Sequence, residues 1–198
     1  MSERLVHELN AVLKAPLAYS EKPFPGVIES QDKASVLVLF RGPHFLASEI
    51  LLILRSPELL RNPGQVAFPG GRIEPSDLGN SLRTALRETE EEVGLSSNNI
   101  LGLGLLPALP TVTGQLLVDP VLGVWNTEIS EDFILQSSEV IHAEWVSVSS
   151  LISSRVLEQR LVHSVEMELP VFKWGERQIW GMTAMIFDLI LKRYDSIF

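Results

Sequence analysis

The stretch GGRIEPSDLGNSLRTALRETEEEVGL, residues 70–95, decides how this chain is read. It opens on a Gly-Gly turn, and a run predicted to be helical over 81–94 then presents Arg87, Glu88, Glu91 and Glu92 just before Gly94. At about 100° per residue, with Glu88 at zero, Glu92 falls at about +40° and Glu91 at about −60°. Glu90, at about 200°, points the other way. Leu82, Ala85, Leu86, Thr89 and Val93 occupy roughly 60–160°, a stripe that can be buried. Three carboxylates therefore share one face beside an anchored one. Like charges at these spacings destabilise a helix, so a partner of opposite charge is expected. Hard divalent cations, which take oxygen ligands, meet that need. On this reading Glu88, Glu91 and Glu92 are metal ligands, with Glu88 and Glu92 the first pair, and the cofactor is Mg²⁺ or Mn²⁺. Gly70 and Gly71 allow a tight turn and a close approach of backbone to ligand.

The order R-E-T-E-E-E-V-G-L at 87–95, preceded by F-P-G-G at 68–71, resembles the Nudix box, whose core reads R-E-U-x-E-E-x-G-U with U apolar. Arg87, Glu88, Glu91, Glu92, Gly94 and Leu95 match it position by position, and Thr89 stands where an aliphatic residue is usual. Gly71 is followed by five residues and Asp77, and nine more residues reach Arg87. The intervening loop is thus longer than the family pattern by about two residues, and Asp77 replaces a Glu. The resemblance implies a Nudix-type α/β/α sandwich with a mixed β-sheet and hydrolysis of a diphosphate bond. It also implies catalytic roles for Glu88 and Glu91, with Arg87 orienting the carboxylates.

A narrower resemblance lies upstream. LLILRSPELLRNPGQVAFPGG, residues 51–71, is similar to the segment before the box in the coenzyme A pyrophosphatase branch of that superfamily. Leu51, Leu52, Ser56, Gly64, Phe68, Pro69, Gly70 and Gly71 fit in register; Ile53 replaces a Thr, and Leu60 takes an Arg position with Arg61 one residue later. The segments 106–123 and 175–191 also look like that branch, so the resemblance covers about three-quarters of the chain. It implies cleavage of coenzyme A or an acyl derivative to 3′,5′-ADP and a 4′-phosphopantetheine product. Arg55 and Arg61 are the candidates for ligand phosphate. Glu139, in the sequence SSEV, matches an acidic position of that branch and is the candidate general base, with Glu92 an alternative relay. ADP-ribose, dinucleotides and nucleoside triphosphates remain as alternative substrates. A non-catalytic Nudix-fold binding protein is a further alternative, against which the three retained carboxylates argue.

At 198 residues and a formal charge of −9, the chain is long enough for one well-cored domain and carries no broad polyanion-binding surface. Nucleic acid polymers are poor partners, whereas a small nucleotide substrate can bind through a bridging metal. There is no cysteine, so disulfide and thiolate chemistry are absent. No apolar run approaches the roughly 20 residues of a membrane span, and 1–17 lacks a signal-peptide core, so a cytoplasmic protein without membrane contact is expected. His7, His44, His142 and His163 are scattered without ligand spacing, and Ser56 has no Gly-x-Ser-x-Gly context. The four Trp read as core residues.

The expected organisation is an N-terminal helix and connecting loop over 1–30 and the Nudix domain over 31–198, one globular unit overall. Leu5, Val6, Leu9, Val12 and Leu13 recur at helical spacing until Pro16, and 17–32 reads as loop. Strands are predicted at 34–40, 49–55, 100–106, 115–125 and 143–148, with Pro120 implying an edge or a bulge. A loop at 127–140, a short helix near 149–159, a hairpin arm at 165–174 and a helix over 181–194 complete the pattern. The last helix reads as core, with a homodimer contact as the alternative.

Overall fold

Along Lys33–Arg41 (β1), Leu37 and Leu39 enter one hydrophobic core, and Val38 and Phe40 enter another. A strand whose two faces are both buried must lie inside a sheet covered on both sides. The computed structural model describes residues 2–15, 32–111, 115–126, 132–162 and 165–198, and shows that arrangement. The main sheet also contains Glu49–Arg55 (β2), Val66–Ala67 (β3), Gly70–Arg72 (β4), Ile100–Leu105 (β5), Leu109–Pro110 (β6), Leu117–Trp125 (β7) and Val140–Ser147 (β8). Its path is β3-β2-β1-β7-β5, with β4 also on β1, β6 on β7 and β8 on β2. β1 and β7 run parallel from Lys33↔Leu117 to Phe40↔Val124; the other pairs are antiparallel, so the sheet is mixed.

Glu3–Lys14 (α1) and Gly181–Asp195 (α4) cover one face, where Leu5, Leu9, Ile186 and Ile190 pack with Val38, Phe40 and Leu52. Ser81–Val93 (α2) covers the other, where Ala85 and Val93 pack with Leu37, Leu39, Leu51 and Ile53. The result is an α/β/α sandwich. Val148–Ser153 (α3) leads into a three-stranded antiparallel sheet of Val156–Val162 (β9), Val165–Trp174 (β10) and Arg177–Ile179 (β11), ordered β11-β10-β9.

Most of α4 is buried against its own chain, which makes it core. Two expectations need correction. Pro120, expected at an edge or a bulge, is not at an edge, because β7 lies between β1 and β5, and the register shift of the β5–β7 pair falls on β5 between Gly102 and Gly104. Its carbonyl accepts from Leu106 N–H at 2.9 Å, so the side of Pro120 that lacks an N–H faces the break between β5 and β6, where no ladder bond is required. The helix near 149–159 ends at Ser153, and 156–162 form β9. There the alternation of V-L-E-Q-R-L-V finds a partner in β10, from Val156↔Val171 to Val162↔Val165, and hairpin pairing with the next strand overrides the helical reading. Residues 16–31, most of the expected connecting loop, lie outside the described residues, as does His163. No described helix is long and apolar enough to cross a membrane.

Candidate active site

Four pieces of chain meet at the C-terminal half of α2. The helix begins at Asn80, whose side chain accepts from Leu82 N–H and Arg83 N–H at 3.0 and 3.2 Å, and ends at Gly94 in the left-handed region at φ 75°. Its buried stripe fixes the rotation, so Glu88 and Glu92 turn toward β4 while Glu90 is exposed. The F-P-G-G turn arrives from β3 and is tied to β1 by Leu37 N–H donating to the Pro69 carbonyl at 2.8 Å. The end of β2 brings Arg55, and the chain before β8 brings Glu139, joined to the first by Ser56 N–H donating to the Glu139 carbonyl at 2.7 Å.

The glycines are close because the site has no room for anything larger. A Cβ on Gly71 would lie 2.3 Å from Glu88 Oε1, so this carboxylate rests directly against bare backbone. Gly70, at φ 154°, donates its N–H to Glu92 Oε2 at 2.9 Å; a Cβ there would meet the Ser35 carbonyl at 2.3 Å. Glu92 is not a surface acid. Only 1 % of the residue is exposed, and its other oxygen lies 4.0 Å from Arg55 Nη1. Burial pushes its carboxyl up to about 8, helped by the charges of Glu88 and Glu139 and opposed by the Gly70 N–H and Arg55. Burial also raises Glu88, with Arg87 opposing and Glu91 and Glu139 reinforcing. Each of these acids is thus destabilised as an anion by its surroundings, a polarity that a bound cation would reverse.

Arg87 is the hub of the exposed side. Its guanidinium lies 3.0 Å from Asp77 Oδ2, 3.0 Å from Glu88 Oε1 and 2.9 Å from Glu91 Oε2. Asp77, which the sequence pattern treats as a departure, anchors this hub. It is buried, accepts from Arg87 through both oxygens, and also accepts from Glu74 N–H and Thr84 Oγ1, each at 2.9 Å. The Arg87 guanidinium holds the Asp77 carboxyl far below the usual carboxylate range, and Asp77 in turn raises Arg87. The long loop fits around this contact as a short 3-10 turn at Pro75–Asp77 followed by left-handed Leu78 and Gly79, at φ 55° and 73°. The only sequence signal for the anchor was one carboxylate preceding the box Arg by ten positions.

The structure therefore gathers Glu88, Glu92, Arg87, Glu91, Arg55, Gly70, Gly71 and Glu139 around one end of α2. Arg61 stands apart, exposed on the loop between β2 and β3. Among the described residues, no three Asp, Glu, His or Cys side chains converge as a ready-made metal cage: Glu91 leans toward Arg87, and Glu92 toward Gly70. The donor set is nonetheless all carboxylate oxygen, the chemistry hard divalent cations take, and the space over Gly71 holds the Glu88 carboxylate where a side chain would exclude it. These residues fit a divalent ion. His142 lies elsewhere, stacked on Trp174 with 5.4 Å between ring centroids. Of the four Trp expected in the core, Trp125 and Trp174 are buried, whereas Trp145 and Trp180 are only partly so.

A sandwich with an acidic helix end set against a Gly-Gly turn defines a class, and relatives place the chain within it. The NUDIX domain family profile matches residues 31–165. A peroxisomal coenzyme A diphosphatase of Caenorhabditis elegans is 32% identical over 176 residues, covering 88% of this chain and 73% of that protein. An uncharacterized Nudix hydrolase, NudL, of Pectobacterium atrosepticum is 33% identical over 165 residues, covering 80% of this chain and 81% of its own length. The crystal structure of a MutT/nudix family protein from Enterococcus faecalis superposes with a TM-score of 0.56 at 17% identity, covering 99% of this chain and 76% of that one, which shows the shared fold. The chain belongs to the Nudix hydrolase family. Nudix hydrolases act on small nucleotide derivatives and generally need divalent metal ions.

Proposed function

We propose that this chain hydrolyses the diphosphate bond of coenzyme A or an acyl-coenzyme A, giving 3′,5′-ADP and the 4′-phosphopantetheine product. The observation that carries the reading of the site is the pair of buried Glu92 and partly buried Glu88, held against the Gly70 N–H and Gly71 with Arg87 alongside. Glu88, Glu92 and Glu91 would hold Mg²⁺ or Mn²⁺. When bound, such an ion neutralises phosphate charge and makes water a better nucleophile near neutral pH. Arg87, fixed by Asp77, keeps Glu88 and Glu91 aimed at the same region. Glu139, whose charge reaches both Glu88 and Glu92, would accept a proton from attacking water. Arg55, partly exposed beside Glu92, suits a substrate phosphate, and Arg61 suits one reached by its loop.

The substrate assignment is supported by the 51–71 pattern and by the worm relative named a coenzyme A diphosphatase. That relative is also named peroxisomal, whereas we assign this chain to the cytoplasm, as its bacterial NudL relatives suggest. The test is turnover of coenzyme A, acyl-coenzyme A, ADP-ribose, a dinucleotide and a nucleoside triphosphate at equal Mg²⁺, with products identified by mass spectrometry. Faster cleavage of ADP-ribose than of coenzyme A would overturn the substrate assignment while leaving the hydrolase reading in place.

A further inference from the structure

β9 forms one edge of the three-stranded sheet, and among the described residues it pairs only with β10. An edge strand presents a row of unpaired backbone groups, and proteins usually blunt such edges with charge, proline or a bulge. Here the register with β10 is unbroken over all seven residues, and there is no proline. The outer face is apolar: Leu157 is 50% exposed and Leu161 is 71% exposed, flanking the exposed Gln159. Val156, at the start of the strand, is also exposed.

The order of the seven side chains is what selects a partner. V-L-E-Q-R-L-V reads the same in both directions, except that Glu158 on one side of Gln159 answers Arg160 on the other. In an antiparallel pair of two such strands centred on Gln159, Val156 stands opposite Val162, Leu157 opposite Leu161, and Glu158 opposite Arg160, each pair occurring twice. Opposed residues of an antiparallel pair share a face with Cβ atoms roughly 5 Å apart. The four leucines of two chains would then meet on the outer face and leave water together, while the two Glu–Arg pairs would meet on the other. A two-fold pairing of a strand with itself requires this self-complementarity. Within one chain Glu158 already approaches Arg160 at 2.7 Å, so both side chains lie on the face where the cross-strand pairs would form.

We infer that the β9 edge is the contact for a second copy of this chain, joined by antiparallel β9–β9 pairing about Gln159 into one continuous six-stranded sheet, three strands from each copy. This contact involves none of the residues assigned to the hydrolytic site.

Charge exchange tests it. Glu158→Arg sets two arginines opposite one another at both charged positions of the dimer, and Arg160→Glu sets two glutamates opposite one another; each should weaken association by about tenfold. An equimolar mixture of the two variants restores opposite charges at both positions, as does the double exchange within one chain. Sedimentation velocity over a dilution series should show a wild-type dimer, a dimer dissociation constant about tenfold weaker for each single variant, and one restored toward wild type for the mixture. A role for Glu158 and Arg160 confined to their own chain would not be rescued by mixing. A wild type that stays monomeric at high concentration, single variants that associate as tightly as the wild type, or a mixture no tighter than the single variants would each overturn the inference. Circular dichroism of the single variants keeps loss of folding apart from loss of pairing, and the rescued mixture depends on both being folded.

Discussion

Two buried carboxylates in this site respond to pH in opposite senses. Asp77 has a folded-state pKa below its unfolded value, so the folded chain binds fewer protons and its contribution is present above the ordinary Asp range and lost as pH falls. Glu92 has the reverse shift: between the ordinary Glu range and about 8 the folded chain holds a proton that the unfolded chain releases, so stability declines as pH rises through that window. Glu92→Gln, measured with a chelator present, should therefore raise Tm at pH 8 relative to wild type and leave it nearly unchanged at pH 5. Equal shifts at the two pH values would show that Glu92 ionises normally. Asp77→Ala should cost about 3 kcal/mol in urea unfolding near neutral pH, because Arg87 loses its most buried partner. Glu88→Gln should lower kcat more than a hundredfold, about the scale on which even outer-shell metal contacts act, with an unchanged circular dichroism spectrum. Undiminished turnover would remove Glu88 from the proposed role.

The two adjacent glycines of β4 separate stability from function. Gly70→Ala forces a side chain against the Ser35 carbonyl at a φ that alanine rarely adopts, so thermal unfolding should register it strongly. The nearest atoms a Gly71→Ala side chain meets belong to the Glu88 carboxylate, the end of a side chain that can swing aside. It should retain most of its Tm and lose most of its activity. The reverse pattern would mean that the turn, and not the carboxylate over it, is what Gly71 serves. At this scale the sequence was readable where structure is local. The α2 stripe, its Gly94 stop and the face shared by Glu88, Glu91 and Glu92 all follow from helical period. What could not be read depends on which partner each residue meets in space: the burial of Glu92 beneath the F-P-G-G turn, the grip of Asp77 on Arg87, the interior place of Pro120, and the hairpin pairing of 156–162 with the strand that follows it. Helical or strand period alone does not specify those contacts.

Across the molecule, α1 is fastened to the turn between β1 and β2 by a buried acid. Glu8 accepts from Phe45 N–H at 2.7 Å and pairs with Arg4 at 2.9 Å, and Phe45 stacks on Tyr194 of α4. Glu8→Ala leaves that buried N–H without a partner and should cost about 2 kcal/mol in urea unfolding, with kcat on the preferred substrate unchanged because the site lies on the opposite face of the sheet. A loss of kcat as large as the loss of stability would show that the two faces are coupled.

The parallel contact between β1 and β7 has a kinetic corollary. Val38 and Leu122 face each other in register, yet a long stretch of chain that includes all of α2 separates them. Non-local pairings of this kind close late, because the intervening loop loses entropy before the contact repays it. Refolding should therefore be limited by the docking of β7 on β1, and nucleotide-cleaving competence should return at the same rate as that pairing rather than ahead of it.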